Sequence, residues 1–247
     1  MYQSERTNEI LRILKKYNYV TVNYLVEQIN YSPASIRRDL TILENKGLVK
    51  RSYGGVSLKA EASTPFIFRQ HSMKIVKNSI AVQGAKLIND NDTIFIDGSS
   101  SAQYLGPYLL DKKGITVITN NMTLAGFLGD NGTKVYCTGG YISEHPGILA
   151  GEITNNTFSE MHADIMFFSS KGYSDGIIFA SGELYLRQYR IMLQNADKSV
   201  FLCGSDKINQ KYAWKVSDLS SIDYFITDAK LDKSEIEKHE NTEFIFV

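Results

Sequence analysis

Two groups of residues in this 247-residue chain have the types and spacing to do chemistry, and they lie far apart in the sequence. The first is Ser32, Ala34, Ser35, Arg37, Arg38 and Thr41, with Lys50 and Arg51 close behind. Ser32 followed by Pro33 is a cap with a proline at the first helical position, which starts a helix firmly. Ile36, Leu40 and Leu43 form its apolar stripe, which leaves Ala34, Ser35, Arg37, Arg38 and Thr41 on other faces. Such a helix suits a major groove. Its N-terminus can approach phosphates, and Ala34 and Ser35 let the backbone come near the bases. An arginine fork can take a guanine edge bidentately. A plain helical bundle with solvated arginines is the other reading of the same residues.

The second group is dispersed. Asp97-Gly98-Ser99-Ser100-Ser101 follows an apolar run and leads into helix-like sequence, so free N–H groups and three hydroxyls could cradle a phosphate. Thr119 and Asn120 end another apolar run, with groups able to read sugar hydroxyls, and Gly139-Gly140 would let a backbone lie close to a ligand. Gly151, Lys171, Gly172 and Lys207 add candidates, the lysines as countercharge to a phosphate. Asp97 could bind a sugar hydroxyl or act as a general base, but no paired acid–base constellation accompanies it.

These residues need elements to hold them. Ile10, Leu11, Ile13, Leu14 and Tyr17 recur at helical spacing up to Asn18. Thr21 then caps a short helix with core face Val22, Leu25, Val26 and Ile29, and Gly47 stops the helix that carries the arginines. Leu48 to Arg51 and Val56 to Leu58 read as two strands of a wing around Tyr53-Gly54-Gly55. After a linker containing Pro65, a helix is expected with Ile75, Ile80, Ala81, Ala85, Leu87 and Ile88 on its apolar positions. Strands are then expected at 93–97, 115–119, 134–138, 165–169, 200–203 and 224–227, with helices at 122–128 and 183–196 between them. Gly106-Pro107 should shorten or kink the helix after Ser101. The alternation predicts an open, largely parallel α/β sheet, whose ligands bind at the carboxyl ends of the strands.

Composition sets the class. The 27 basic and 27 acidic residues cancel, but residues 1–59 hold 10 basic against 5 acidic and the remainder 17 against 22. A small basic segment on an acidic body points to nucleic-acid contact at one end. Cys137 and Cys203 lie in apolar runs away from other soft ligands and are expected as buried thiols. His71, His145, His162 and His239 have no metal-ligand spacing, so neither metal nor cofactor is expected. A polar start and the lack of a membrane-length apolar run make the cytoplasm the expected compartment, with no membrane partner.

The run Ser32-Pro33-Ala34-Ser35-Ile36-Arg37-Arg38-Asp39-Leu40, then Leu43-Glu44, Gly47-Leu48 and Arg51-Ser52-Tyr53-Gly54-Gly55, resembles the DeoR/GlpR family of bacterial regulators. The signature is long and strictly spaced. More loosely, residues 97–101, Thr119-Asn120 and Gly139-Gly140 resemble the Asp-x-Gly-Thr-Thr, Thr-Asn and Gly-Gly loops of that family's sensor domain, with serines for threonines. Leu202-Cys203-Gly204-Ser205-Asp206-Lys207 keeps the family's late lysine but has glycine where its aspartate belongs; Asp206 could substitute from a shifted position. The helix at 183–196 also departs from the family's charged pattern. The resemblance implies a winged helix-turn-helix over 1–58, a linker over 59–72 and, over 73–247, an α/β sensor domain similar to the ribose-phosphate-isomerase and CoA-transferase fold. It further implies a repressor of carbohydrate-metabolism genes, a double-stranded DNA operator and a phosphorylated sugar or related metabolite as effector. One recognition helix reads few base pairs, so a homodimer or homotetramer is expected. A sugar-phosphate isomerase carrying a DNA-binding arm, and a regulator whose pocket binds nothing, are the competing readings.

Overall fold

A computed structural model of the chain describes residues 3–17, 19–52, 55–58, 66–70, 72–144 and 147–247. They fall into two units, Met1–Ser72 and Met73–Val247.

The first unit is built by its caps. Helix α1 (Gln3–Tyr17) is followed by strand β1 (Tyr19–Thr21), α2 (Val22–Ile29), α3 (Pro33–Asn45), β2 (Val49–Ser52) and β3 (Gly55–Leu58). The Thr21 hydroxyl accepts the Tyr24 N–H at 3.1 Å, and the Ser32 hydroxyl accepts the Ser35 N–H at 3.2 Å. Each satisfies one of the donors a helix start leaves open. Asn30, at φ 55°, turns the chain out of α2, and Gly47, at φ 69°, turns it after α3. The strands pair antiparallel in the order β1-β3-β2. Ile10, Leu14, Leu25, Ile36, Leu40, Val20 and Val56 are fully buried between helices and sheet. Asp39 joins them: it is buried on α3 and accepts both Nε and Nη2 of Arg6 from α1. The Arg6 guanidinium lies 4.6 Å from the centre of the Tyr31 ring, so one cation ties α1 to α3 and to the turn before it. Tyr53 and Gly54 of the wing lie outside the described residues, as do Pro65 and the rest of 59–65. Within the stretch read as linker, α4 (Phe66–Arg69) packs on β1 with Phe66 buried.

The second unit is a seven-stranded parallel sheet in the order β15-β14-β12-β9-β4-β5-β6. Its strands are β4 (Thr93–Ile96), β5 (Thr116–Thr119), β6 (Lys134–Cys137), β9 (Ile165–Phe168), β12 (Ser199–Cys203), β14 (Tyr224–Thr227) and β15 (Glu243–Phe246). Side chains alternate between its faces with period two, and this alternation makes two cores. Ile94, Ile96, Val117, Phe167, Val200, Leu202 and Ile226 face one, covered by Ile80 and Ala81 of α5 (Lys74–Lys86), Leu109 of α6 (Gly106–Leu109) and Leu124 of α7 (Met122–Asp130). Phe95, Ile118, Met166, Phe168, Phe201 and Phe225 face the other, covered by Phe158 of α8 (Glu152–Glu160) and Met192 of α9 (Glu183–Gln194). A hairpin of β7 (Tyr141–Glu144) and β8 (Ile148–Ala150) and a small antiparallel sheet of β10 (Gly172–Ser174), β11 (Ile177–Ala180) and β13 (Trp214–Asp218) complete the unit.

Ile75 is on the exposed side of α5, because the buried stripe of that helix runs through Ile80, Ala81 and Gly84. Cys137 is exposed, since β6 is the edge strand and only Val135 on it is turned partly inward; Cys203, on a central strand, is fully buried and burial pushes its thiol up to about 12. Residues 97–101 lead into a 3-10 turn (Ala102–Leu105) rather than a full helix. Pro107 has no N–H to give to the Gln103 carbonyl, and Gly106 takes that carbonyl in a tighter turn instead.

Candidate functional site

On the first unit, Ala34, Arg37, Arg38 and Thr41 lie exposed on α3, and Lys50 is exposed on β2. Ser32 and Ser35 bond each other at 3.0 Å at the head of the helix. Arg51 is held rather than free. Its Nη1 donates to Thr41 Oγ1 at 3.2 Å, its backbone N–H donates to Glu44 Oε1 at 3.0 Å, and Thr41 Oγ1 in turn donates to the Arg37 carbonyl at 3.0 Å. Two of these bonds tie β2 to α3. The surface chemistry is cationic and hydroxyl groups presented beside small residues. Asp39 escaped the sequence reading as a structural residue, although its spacing from Ile36 and Leu43 puts it on the buried stripe.

On the second unit, the strand order locates the site. From β4 the chain moves outward through β5 and β6, whereas β9, β12, β14 and β15 follow on the other side of β4. The connections therefore diverge at β4 and β9, and in sheets of this kind ligands bind beyond the carboxyl ends of such a pair. Asp97 follows β4 and Ser169 follows β9. Asp97 is buried, with Oδ1 accepting the Ser99 hydroxyl at 2.6 Å and Oδ2 lying 3.3 Å from the Tyr189 hydroxyl, whose single proton is shared with the Ser169 carbonyl at 2.8 Å. Burial pushes its carboxyl up to about 7, while the Ser99 and Ser169 hydrogen bonds and the Lys207 charge hold it lower than burial alone would. Lys207 Nζ donates to Ser101 Oγ at 3.1 Å and to Ser169 Oγ at 2.5 Å, bridging the two loops. Lys77 Nζ, from α5, donates to Ser100 Oγ at 3.2 Å. Ser99, Ser100, Ser101, Asp97 and Lys207 are thus brought together, joined by Lys77, Ser169 and Tyr189, which carried no motif to single them out.

Asn120 lies beside them, at the end of β5. Its Nδ2 donates to the Leu149 carbonyl at 2.8 Å and to Gln188 Oε1 at 3.2 Å, while its Oδ1 is buried with no hydrogen-bond partner among the described residues. A Cβ on Gly98 would come within 3.1 Å of Asn120 Nδ2 and 2.5 Å of Ile148 Cγ2, so only glycine fits there. Thr119 is buried and accepts the Asn121 N–H at 3.1 Å. A Cβ on Gly140 would lie 2.4 Å from the Ala150 carbonyl, and one on Gly172 would lie 2.3 Å from that of Gln210. The Gly139 carbonyl accepts Thr154 Oγ1 at 2.7 Å, Gly151 begins α8 at φ 106°, and the Lys171 N–H donates to the Phe179 carbonyl at 3.0 Å. Asp206, exposed, places Oδ1 2.6 Å from where a side chain on Gly204 would start. No group of three or more potential metal ligands occurs among the described residues.

The comparisons with known proteins follow the same division. Residues 6–62 match the DeoR-like helix-turn-helix domain and residues 73–229 match the DeoR C terminal sensor domain. The HTH-type transcriptional regulator GolR of Listeria innocua is 31% identical over 249 residues, covering 98% of this chain and 96% of the relative. The lactose phosphotransferase system repressor of Staphylococcus epidermidis is 30% identical over 255 residues, covering 98% and 97%. Among solved structures, ribose 5 phosphate isomerase A from Neisseria gonorrhoeae matches 55% of this chain and 53% of its own, at 14% identity and a TM-score of 0.40. With a family model across more than half its length and full-length relatives at this identity, the chain belongs to the DeoR family of transcriptional regulators.

Proposed function

We propose that this protein is a repressor that binds a DNA operator through α3 and the wing and is released when a small phosphorylated metabolite binds beyond β4 and β9. The observation that carries this reading is the Ser99, Ser100, Ser101 loop met by lysine ammonium groups at a topological switch point. Relatives named as a lactose phosphotransferase system repressor and a glycerol-3-phosphate regulon repressor support the effector class. Arg37 and Arg38 read bases; Lys50 contacts phosphate; Ser32, Ala34, Ser35 and Thr41 line the approach, and Arg51 braces it. Beyond these strands, Ser99, Ser100, Ser101 and Lys207 hold the phosphate, and Asn120 Oδ1 takes a hydroxyl. Asp97 sets the loop and Tyr189 rather than attacking substrate, because Oδ1 accepts the Ser99 hydroxyl and Oδ2 lies beside that of Tyr189. The protein acts in the cytoplasm as a homodimer or homotetramer, and a coupling of a few kcal/mol between the two sites suffices for release.

Two measurements test the DNA half. Arg37→Ala or Arg38→Ala is expected to weaken binding to DNA from upstream of the protein's own gene by about 1–3 kcal/mol, with relaxed sequence preference. Unchanged isotherms for both variants would remove these arginines from the recognition face. Lys50→Ala should weaken all sequences alike and flatten the log–log salt slope by about one. An unaltered slope would take Lys50 off the phosphate backbone.

A further inference from the structure

We infer that the homo-oligomer proposed above, on which reading this rests, is joined at one open edge of the seven-stranded sheet, where β6 of one copy pairs antiparallel with β6 of the next about a two-fold axis at Tyr136.

Strand β6 pairs with β5 on one side and, among the described residues, with no strand on the other. The Thr138 N–H donates to the Thr119 carbonyl at the end of β5 at 3.1 Å, so the alternation of the ladder turns the backbone groups of Val135 and Cys137 to the open side. A row of unpaired groups is a template for another strand, and proteins blunt such edges with charge. The opposite edge, β15, closes a run that holds Lys233, Glu235, Glu237, Lys238, Glu240 and Glu243. Strand β6 has neither proline nor glycine, and its one charged residue, Lys134, stands at its start. Its surroundings are apolar. Tyr136 is in register with Ile118 and, through it, with Phe95, so it points to the face that α8 covers. A Cβ on Gly139 would lie 3.2 Å from Ile153 Cγ2 of α8, and one on Gly151 would lie 3.0 Å from the Tyr141 ring of β7. The end of β6, the head of α8 and the β7 hairpin thus adjoin one another. Tyr136 and Tyr141 are 43% and 57% exposed, together one whole tyrosine, while Ile142 and Ile153, at 48% and 63%, exceed one whole isoleucine. That leaves roughly 400 Å² of apolar side chain open per copy, a size that marks an interaction surface. Two copies contribute about 800 Å², and the β6 backbone and a polar rim bring the contact to the roughly 1,200–2,000 Å² of a stable dimer. An axis at Tyr136 sets Val135 opposite the partner's Cys137 and Cys137 opposite the partner's Val135. The outward backbone groups then satisfy one another, and the two Tyr136 rings lie side by side as a cross-strand pair. A surface that is its own complement fits a second copy of this chain, which operator recognition by a single reading helix also calls for.

The test uses the full chain, whose two cysteines are the fully buried Cys203 and the exposed Cys137. The pairing sets Cys137 diagonal to the partner's Cys137, about 7–8 Å away and within reach of bis-maleimidoethane. Wild type should therefore give a covalent dimer with this reagent, and Cys137→Ser should give none. In sedimentation, Tyr136→Glu, which sets two carboxylates against each other on the axis, should halve the wild-type mass, and so should Ile153→Glu on α8. Tyr136→Phe should keep that mass. If circular dichroism shows Tyr136→Glu to be unfolded, Ile153→Glu decides. An oligomeric wild type whose mass is unchanged in both glutamate variants, with no crosslink at Cys137, would put the contact on another surface: the homo-oligomer reading stands and this inference is overturned. A wild type that sediments as a monomer with and without operator DNA overturns both and leaves the β6 edge to a different partner.

Discussion

Arg6→Met is expected to destabilise the DNA-binding unit by about 3 kcal/mol without touching a DNA contact. Asp39 is fully buried on α3, and the Arg6 guanidinium supplies its two charge-assisted bonds. Breaking a buried ion pair from one side strands the other charge and costs roughly 3–5 kcal/mol; the lower end applies because Arg6 keeps 11% of its side chain exposed. Hydrogen exchange on the full chain reads this as lost amide protection in α1 and α3, with the second unit unchanged. Arg6→Met combined with Asp39→Leu should recover most of the loss, because no charge is then left unpaired. Arg37→Ala, two positions before Asp39 but exposed, should leave protection intact. A loss below about 0.5 kcal/mol for Arg6→Met would mean that Asp39 reaches water and that the pair is ordinary surface electrostatics.

The opposite sign is expected at Asp97. Its carboxyl is pushed up to about 7 from an ordinary 3.8, chiefly by burial. A carboxyl raised in this way favours the folded state fully below 3.8, and that contribution is lost as pH rises through about 7. Holding it ionised in the fold costs on the order of 4 kcal/mol relative to the unfolded chain. Asp97→Asn, neutral at every pH, should therefore be more stable than wild type by about 2–4 kcal/mol at pH 8.5, with the advantage vanishing towards pH 4. Urea unfolding across that range gives the two curves. Parallel curves would show that Asp97 is not desolvated. The stabilised variant should also respond poorly to effector, since Asp97 orders both Ser99 and Tyr189.

Much of this was readable in the sequence where local chemistry decides structure. Thr21 and Ser32 announce helix starts by side-chain capping, and short apolar runs alternating with helical segments announce the parallel sheet. Asp97, the three serines and Lys207 were legible as loop residues at strand ends. Strand β15 and helix α8 were not: Glu243–Phe246 is a half-exposed edge strand, and Glu152–Glu160 carries Asn and Thr in place of good helix formers. Lys77, Ser169, Gln188 and Tyr189 reach the site only through tertiary packing. A lysine in a helix reads as solvated unless the helix is known to present that position to a loop 23 residues away. At Gly140, read as a place where backbone could lie close to a ligand, a Cβ would come 2.4 Å from the Ala150 carbonyl oxygen.

Effector bound beyond β4 and β9 is expected to loosen α3 from its operator. Fluorescence anisotropy of labelled DNA from upstream of the protein's own gene, titrated with protein and then with a panel of sugar and polyol phosphates, tests it most directly. Tight, sequence-dependent binding that a phosphorylated compound reverses, while the matching unphosphorylated sugar has no effect, is the expected result. Operator binding that stays the same at saturating concentrations of every phosphorylated compound would contradict it.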